Sequence, residues 1–557
     1  MRQLVLLCDG TNNNLTGAAN DTHVVALAEL LRADPDAERV VFYDPGVGNP
    51  GELPGTTWWD KARRLAERID GLAFGRGVFD NIAEGYLFLM RHWRGDADQI
   101  WLFGFSRGAF TARSIGGLVN RFGILPPHLA PLVPTLLQQY FSEASPHGEA
   151  IARQAVRLFA EAPPRRPYIE FVGVWDTVQT VGTWPFSLRM KARPTLQGKR
   201  FVHARQALAL DEHRAQFVPR AYAEDNGPLM AADERPGSVL QLWFRGAHCD
   251  VGGGYALAES ALARTPLAWL VSQAVQCGLR LRHDGQPLDD ESRTAQAVAL
   301  AVQRATGAAD PVSAGQAQRR VHCQLRSTPL WALSGMALRD SRRVAIDDAP
   351  DATVRMAEHP SVAQWDARYP DDSVWRSAGL SGWWWFYLVA GCVLAVALGW
   401  LLLGSVASVP EALAANMRLQ QWQLTAVFST DGSWWRTALS FASPRWAAVW
   451  DDLLILCYAY VLATLAARAF AHAAAFNRHG RAVPRLLNVL GWALPVLVIA
   501  DLAENLCTWL TLTLGHHGVW WLAAVTRLGM ALASVAKFVG LAGVLLLIVG
   551  WRGLRPR

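Results

Sequence analysis

Cysteine is sparse and unpatterned in this chain: seven residues in 557, with no CxxC and no paired spacing. That excludes a disulfide framework and fits buried thiols in a reducing compartment. No HExxH or HxH spacing is present, so no metal is expected. Lys and Arg give a formal charge of +6 but form no basic stripe, and no nucleic-acid motif accompanies them. A nucleic-acid partner is therefore not expected. There is no internal repeat. The opening "MRQLVLLCDG" is too short, and too soon interrupted by Asp9, to be a signal peptide, so the N-terminal part is expected to begin in the cytoplasm. Tryptophan, by contrast, is abundant at 25 residues, many in the C-terminal third. Its half-polar ring favours the membrane–water interface.

Residues 1 to about 284 alternate short apolar runs with helical patterns. Strands are predicted at Leu4–Cys8, Val40–Tyr43, Ile100–Phe105, Ile169–Trp175 and Val239–Phe244, and helices at Asp80–His92 and Ser106–Asn120. Runs that are apolar at every position suit strands covered on both faces, and the βαβ rhythm predicts a doubly wound, mostly parallel α/β sheet. The pattern weakens over 285–376, a less regular closing segment that could supply a lid. The first domain is thus expected over 1–376 and a helical membrane region over 377–557.

Four apolar stretches fall in that region, near 383–404, 453–476, 486–514 and 519–550. Each is close to or above the roughly 20 residues that span a hydrocarbon core. Arg478, Arg481 and Arg485 lie between the second and third, and Arg552, Arg555 and Arg557 follow the fourth. The positive-inside rule then puts the first domain and the C-terminus on the cytoplasmic side of a bacterial inner membrane. Within the third stretch Asp501, Glu504 and Asn505 share one helix face, either a functional site or a bundle-facing cluster paired with Arg527 or Lys537.

"WLFGFSRGAF" places Ser106 in Gly104-Phe105-Ser106-Arg107-Gly108, between a strand and a helix. This is the setting of a nucleophile elbow, whose glycines are needed because side chains there would strike the neighbouring strand and helix. A serine also needs a base, an acid and oxyanion donors, the first two after it in the order acid, then histidine. "FVGVWDTV" ends a strand on Asp176, and "WFRGAHCDVGGGY" ends another on a loop with His248. His248 would take the proton of Ser106, and Asp176 would hold the imidazole tautomer. Asp250 is a rival acid, or orients the Gly252-Gly253-Gly254 turn. The oxyanion donors expected are the backbone N–H of Arg107 and one from Gly10 or Thr11, just past the first strand. "DGT" at Asp9 also occurs in phosphotransferases with a nucleophilic aspartate, but their second aspartate is replaced here by Leu7. A metal held by Asp9, Asp176, His248 and Asp250 is the further alternative.

The motifs "CDGTNNN", "GLAFGRGVFDNIAEGYLFLMRHW", "IWLFGFSRGAFTAR", "FVGVWDTV", "HARQALALDEHRAQFVP" and "WFRGAHCDVGGGY" occur in the order seen in the DUF2235 family. That family is α/β-hydrolase-like and related to the catalytic domain of type VI secretion phospholipase effectors called Tle1. The resemblance covers about residues 1–376. It implies a Ser-Asp-His lipase-type mechanism at Ser106, Asp176 and His248, with no cofactor and a glycerophospholipid or other acyl ester as substrate. The leading expectation is a membrane-anchored serine esterase. The alternatives are a helical membrane protein for transport, sensing or scaffolding with a non-catalytic hydrolase-like domain, and a secreted effector that inserts into a target membrane and requires an immunity protein.

Overall fold

The computed structural model describes residues 1–10, 21–46, 71–141, 164–178, 195–315, 321–339, 344–346, 349–354, 356–368, 444–478 and 484–552, with shorter pieces between them. The chain divides into two compact units. The first is Met1–Glu212, Phe217–His322 and Arg339–Trp375; the second is His213–Gln216, Cys323–Leu338 and Arg376–Arg557.

In the first unit the elements that position the site are, in chain order, β1 (Gln3–Cys8), α1 (His23–Ala33), β2 (Arg39–Asp44), α2 (Gly71–His92), β3 (Gln99–Phe105), α3 (Arg107–Phe122), β4 (Ile169–Trp175), β5 (Phe201–Ala209), β6 (Gly227–Met230), β7 (Pro236–Phe244), α4 (His248–Gly252), α5 (Arg264–Gln276), α6 (Glu291–Thr306) and β8 (Ala357–Glu358). One sheet runs β8-β7-β5-β4-β3-β1-β2 with every neighbouring pair parallel, and β6 adds antiparallel to β7. Each strand sends alternate residues to opposite faces. Leu4, Leu6, Ile100 and Leu102 therefore enter one core with α2 and α3, while Val5, Leu7, Trp101 and Phe103 enter a second with α1, α5 and α6. Covering on both faces is what the unbroken apolar runs require. The chain crosses from the β2 side of β1 to the β3 side, so the sheet's direction of winding reverses between β1 and β3. Open α/β sheets bind ligands outside the carboxyl ends of their strands at such a point.

Strand β5 was not among the predicted strands, yet it lies mid-sheet between β4 and β7. Its Arg205 and Gln206 break the apolar pattern and are buried. Both are paired: Arg205 Nε donates to Gln273 Oε1 at 2.8 Å, and Gln206 Nε2 donates to Arg220 O at 2.7 Å. Described parts of the closing segment fall in two places. Helix α6 places Ala297 and Val298 in the second core, and Cys323–Leu338 belongs to the other unit.

The second unit is built on α7 (Pro444–Arg478), α8 (Ala493–His516) and α9 (Trp520–Arg552). Among the described residues, two segments are long and apolar enough to cross a membrane, Arg485–Leu514 and Trp521–Gly550, in place of the four expected. The stretch 383–404 lies outside the described residues. The stretch 453–476 falls on α7, which buries an alanine-rich face of Ala459, Ala463, Ala466, Ala467 and Ala474 around Phe470. Such small residues let helices pack closely. Gly540 of α9 serves the same end, since a Cβ there would lie 2.7 Å from Leu497 N. Between α8 and α9, Lys537 Nζ lies 2.6 Å from Asp501 and 2.8 Å from Glu504. Tyr458 of α7 also donates to Asp501, and Asn505 donates to Asp452 at 2.8 Å. The acidic face is thus a cluster turned into the helices and paired with Lys537.

Candidate active site

β3 turns into α3 through Ser106, which takes φ 58° and ψ −122°. A left-handed φ on a non-glycine residue costs about 1–3 kcal/mol and persists only where its surroundings enforce it. Here they do. Ser106 N donates to Trp175 O at 3.0 Å, and Val178 N donates to Ser106 O at 3.3 Å, tying the turn to the end of β4. The flanking glycines are sterically required, as expected: a Cβ on Gly104 would lie 2.4 Å from Gly108 O, and one on Gly108 2.2 Å from Cys8 O.

Asp176 follows β4 directly and is also left-handed, at φ 38°. It is fully buried. Oδ1 accepts from Ala209 N at 3.0 Å, and Oδ2 lies 2.6 Å from His248 Nδ1. The imidazole starts α4 and packs between two rings, Phe105 with centroids 4.6 Å apart and Phe217 edge-on at 5.0 Å. Gly252 makes this approach possible, because a Cβ there would lie 1.9 Å from the Phe105 ring. The pair is thus brought to the residue preceding Ser106, and the Ser106 backbone is bonded on both sides of Asp176.

A residue that sequence reasoning missed completes the setting. Arg339 donates from Nη1 to Asp176 Oδ1 at 2.6 Å and from Nη2 to Oδ2 at 3.1 Å. Burial alone would raise the Asp176 carboxyl; the Arg339 charge and the bond to His248 outweigh it and hold the group below its ordinary value. Burial lowers the Arg107 guanidinium to about 10, so it remains a cation at neutral pH.

Other expected partners fall elsewhere. Asp250 faces His322, with Oδ1 2.7 Å from Nδ1, and accepts from Ala247 N at 2.9 Å; it caps the start of α4 rather than orienting the glycine turn. Gly10 does not turn its N–H toward Ser106, because it donates to Asp9 Oδ1 at 2.7 Å. Asp9 Oδ2 in turn accepts from Thr22 Oγ1 at 2.8 Å and Tyr43 OH at 3.0 Å. Thr11 lies outside the described residues. Asp9, Asp176, His248 and Asp250 do not form one ligand set, and among the described residues no group of three or more His, Cys, Asp or Glu is placed to hold a metal ion.

A mostly parallel α/β sheet thus carries a strained serine at the β3–α3 turn and an Asp–His pair at the same rim. Residues 2–273 match the family described as "T6SS, Phospholipase effector Tle1-like, catalytic domain". An uncharacterized protein of Saccharomyces cerevisiae is 31% identical over 231 residues, which cover 39% of this chain and 32% of the yeast protein. The chain thus spans about a third of the length of the curated relative it matches. A solved structure of an uncharacterized protein from Pseudomonas aeruginosa is 15% identical, with a TM-score of 0.28, covering 60% of this chain and 54% of that one.

Proposed function

We propose that this protein is a serine hydrolase of phospholipase type, with Ser106 as nucleophile, His248 as general base and Asp176 as the acid that orients it. The observation that carries the reading is the 2.6 Å Asp176–His248 pair beside a serine held in an elbow. In this mechanism His248 Nε2 takes the Ser106 proton as Oγ attacks the acyl carbonyl of a glycerophospholipid. The first-turn N–H of Arg107 faces the developing oxyanion. His248 then protonates the departing alcohol, and water releases the fatty acid by the reverse proton path. Gly10, engaged by Asp9, is left out of the oxyanion site.

The same proposal places α8 and α9 in a lipid bilayer. Their polarity is inverted relative to a helix of a water-soluble protein. On α8, Val496, Ile499, Leu502, Leu506 and Trp509 are exposed, while Asp501, Glu504, Thr508 and Thr511 are buried. Water would select the opposite arrangement; hydrocarbon selects this one, with ionisable groups paired inside. The family description favours a secreted effector acting on a target membrane over a resident inner-membrane enzyme, and an effector of this kind calls for an immunity protein as partner.

The test is labelling of the detergent-solubilised full chain with a fluorophosphonate, followed by assay on phosphatidylethanolamine and phosphatidylglycerol vesicles. Label is expected on Ser106, with release of fatty acid and lysophospholipid. Ser106→Ala should lose at least about 10³-fold in rate. An unlabelled Ser106, together with undiminished hydrolysis by Ser106→Ala, would refute the assignment.

A further inference from the structure

The carboxylate that faces His248 is gripped by a guanidinium from a distant and unpatterned part of the chain. The Arg339 side chain is 4% exposed. Besides its two bonds to Asp176, it donates to Ala209 O at 2.7 Å and to Phe217 O at 2.6 Å. A guanidinium is planar, so two backbone acceptors and a carboxylate fix its orientation. Its fork then fixes the carboxylate plane, because bidentate pairing allows little rotation. Ala209 N holds Oδ1 as well, which leaves Oδ2 directed at His248 Nδ1. Phe217 links the two halves: its carbonyl receives Arg339 and its ring packs edge-on against the imidazole.

We propose that Arg339 is a positioning residue of the hydrolytic site, which orients the Asp176 carboxylate and limits how strongly that carboxylate favours the protonated form of His248. The proposal rests on the serine-hydrolase reading given above. Its electrostatic half follows from charge alone. A lone carboxylate beside an imidazole stabilises the imidazolium; a cation on the same carboxylate opposes that stabilisation. Arginine keeps its proton throughout the working pH range, so its influence is constant. The other charges around the pair are the same with or without Arg339, one bonded to the histidine backbone and two paired elsewhere. Glu212 accepts from His248 N at 3.3 Å, Asp211 is paired with Arg245 at 2.8 Å, and Asp250 with His322 at 2.7 Å. Arg107 begins the helix that follows Ser106.

Two substitutions separate orientation from charge in the full-length protein in micelles. Arg339→Met removes both, whereas Arg339→Lys keeps the charge but cannot span two carboxylate oxygens and two carbonyls. Each is measured by the pH–rate profile on a short p-nitrophenyl ester. Each is also measured, in a Ser106→Ala background, by the pH midpoint of His248 modification with diethylpyrocarbonate, read by peptide mass spectrometry. For Arg339→Met we expect kcat to fall about 10²-fold, with the acid limb and the His248 midpoint both rising by about one pH unit. For Arg339→Lys we expect the midpoint to return to the wild-type value while kcat stays about tenfold low.

A His248 midpoint unmoved in Arg339→Met overturns the electrostatic role, and wild-type kcat in Arg339→Lys overturns the orienting role. If Arg339→Met does not fold, Arg339→Lys carries the decision by the same kcat criterion. Failure of the hydrolase reading is distinguishable, since it leaves wild-type Ser106 unlabelled by fluorophosphonate while the His248 midpoint still reports on Arg339.

Discussion

Ser106 and Asp176 occupy left-handed backbone at the ends of adjacent strands, and each is held there by the other's neighbourhood. Such strain is tolerable only if the turn cannot relax, and Gly108 is what locks it. With a Cβ, this residue would strike backbone atoms, Cys8 O at 2.2 Å and Asp9 O at 2.4 Å, which cannot rotate away as a side chain could. Gly108→Ala should therefore cost about 2–3 kcal/mol, the size of an overpacking defect, and lower Tm by roughly 5–10 °C. Fluorophosphonate labelling of Ser106 should fall along with it; wild-type Tm and labelling would show that β1 and α3 have more freedom than this contact allows. This steric need is why the elbow could be read from sequence: it is written as glycine at two fixed positions. Asp176 and His248 were legible for a related reason, since each directly follows an apolar strand or its short loop. Arg339 was not. Its role depends on a fold that brings together residues 163 positions apart, and nothing local distinguishes it from a surface arginine.

At the level of elements, the predicted strands were those whose every residue is apolar, and β5 escaped because its buried Arg205 and Gln206 are satisfied by groups on other segments. Sequence periodicity registers the polarity but not the partner. Helix α1 carries a similar hidden cost at its first residue. His23 is buried edge-on against Trp175, with ring centroids 5.4 Å apart, and burial followed by the nearby Arg264 charge lowers it to about 3. The folded chain thus keeps His23 neutral at pH values where the unfolded chain protonates it. A group of this kind leaves stability intact above its unfolded value near 6.5 and removes it progressively as pH falls from there toward 3. By pH 4.5 the loss from this one residue should reach about 2–3 kcal/mol. His23→Phe keeps a ring against Trp175 and removes the titration. Urea denaturation of both proteins at pH 7.5 and pH 4.5 is expected to show a smaller acid-induced loss in the variant. Equal losses would place the acid sensitivity elsewhere.

For the molecule as a whole, the decisive pattern is the one on α9, where Trp521, Val525, Leu528, Leu532, Val535, Val539, Leu546 and Val549 are exposed. Their spacings of three, four and seven keep them on a single helix face. The opposite seam holds Ala523, Met530, Ser534, Lys537, Val544 and Leu547, all buried. Hydropathy counts apolar residues without saying which way they point, so it cannot separate a helix such as α7, packed through alanines, from one that turns its large side chains outward. A face of this length in contact with water would be unfavourable by about 25 cal/mol for each Å² left uncovered, so it needs lipid or a protein to cover it. Lipid predicts a graded signal. Spin labels at Leu528, Leu532, Val535 and Val539 of the full chain in phospholipid vesicles should show high collision rates with oxygen and low rates with a polar nickel chelate, while labels at Ala523 and Met530 should be shielded from both. Uniform shielding of all six positions would mean that protein, rather than hydrocarbon, covers the outer face. Ready access of the nickel chelate to the outer four would mean that α9 lies in water, and the bilayer placement of α8 and α9 would fail with it.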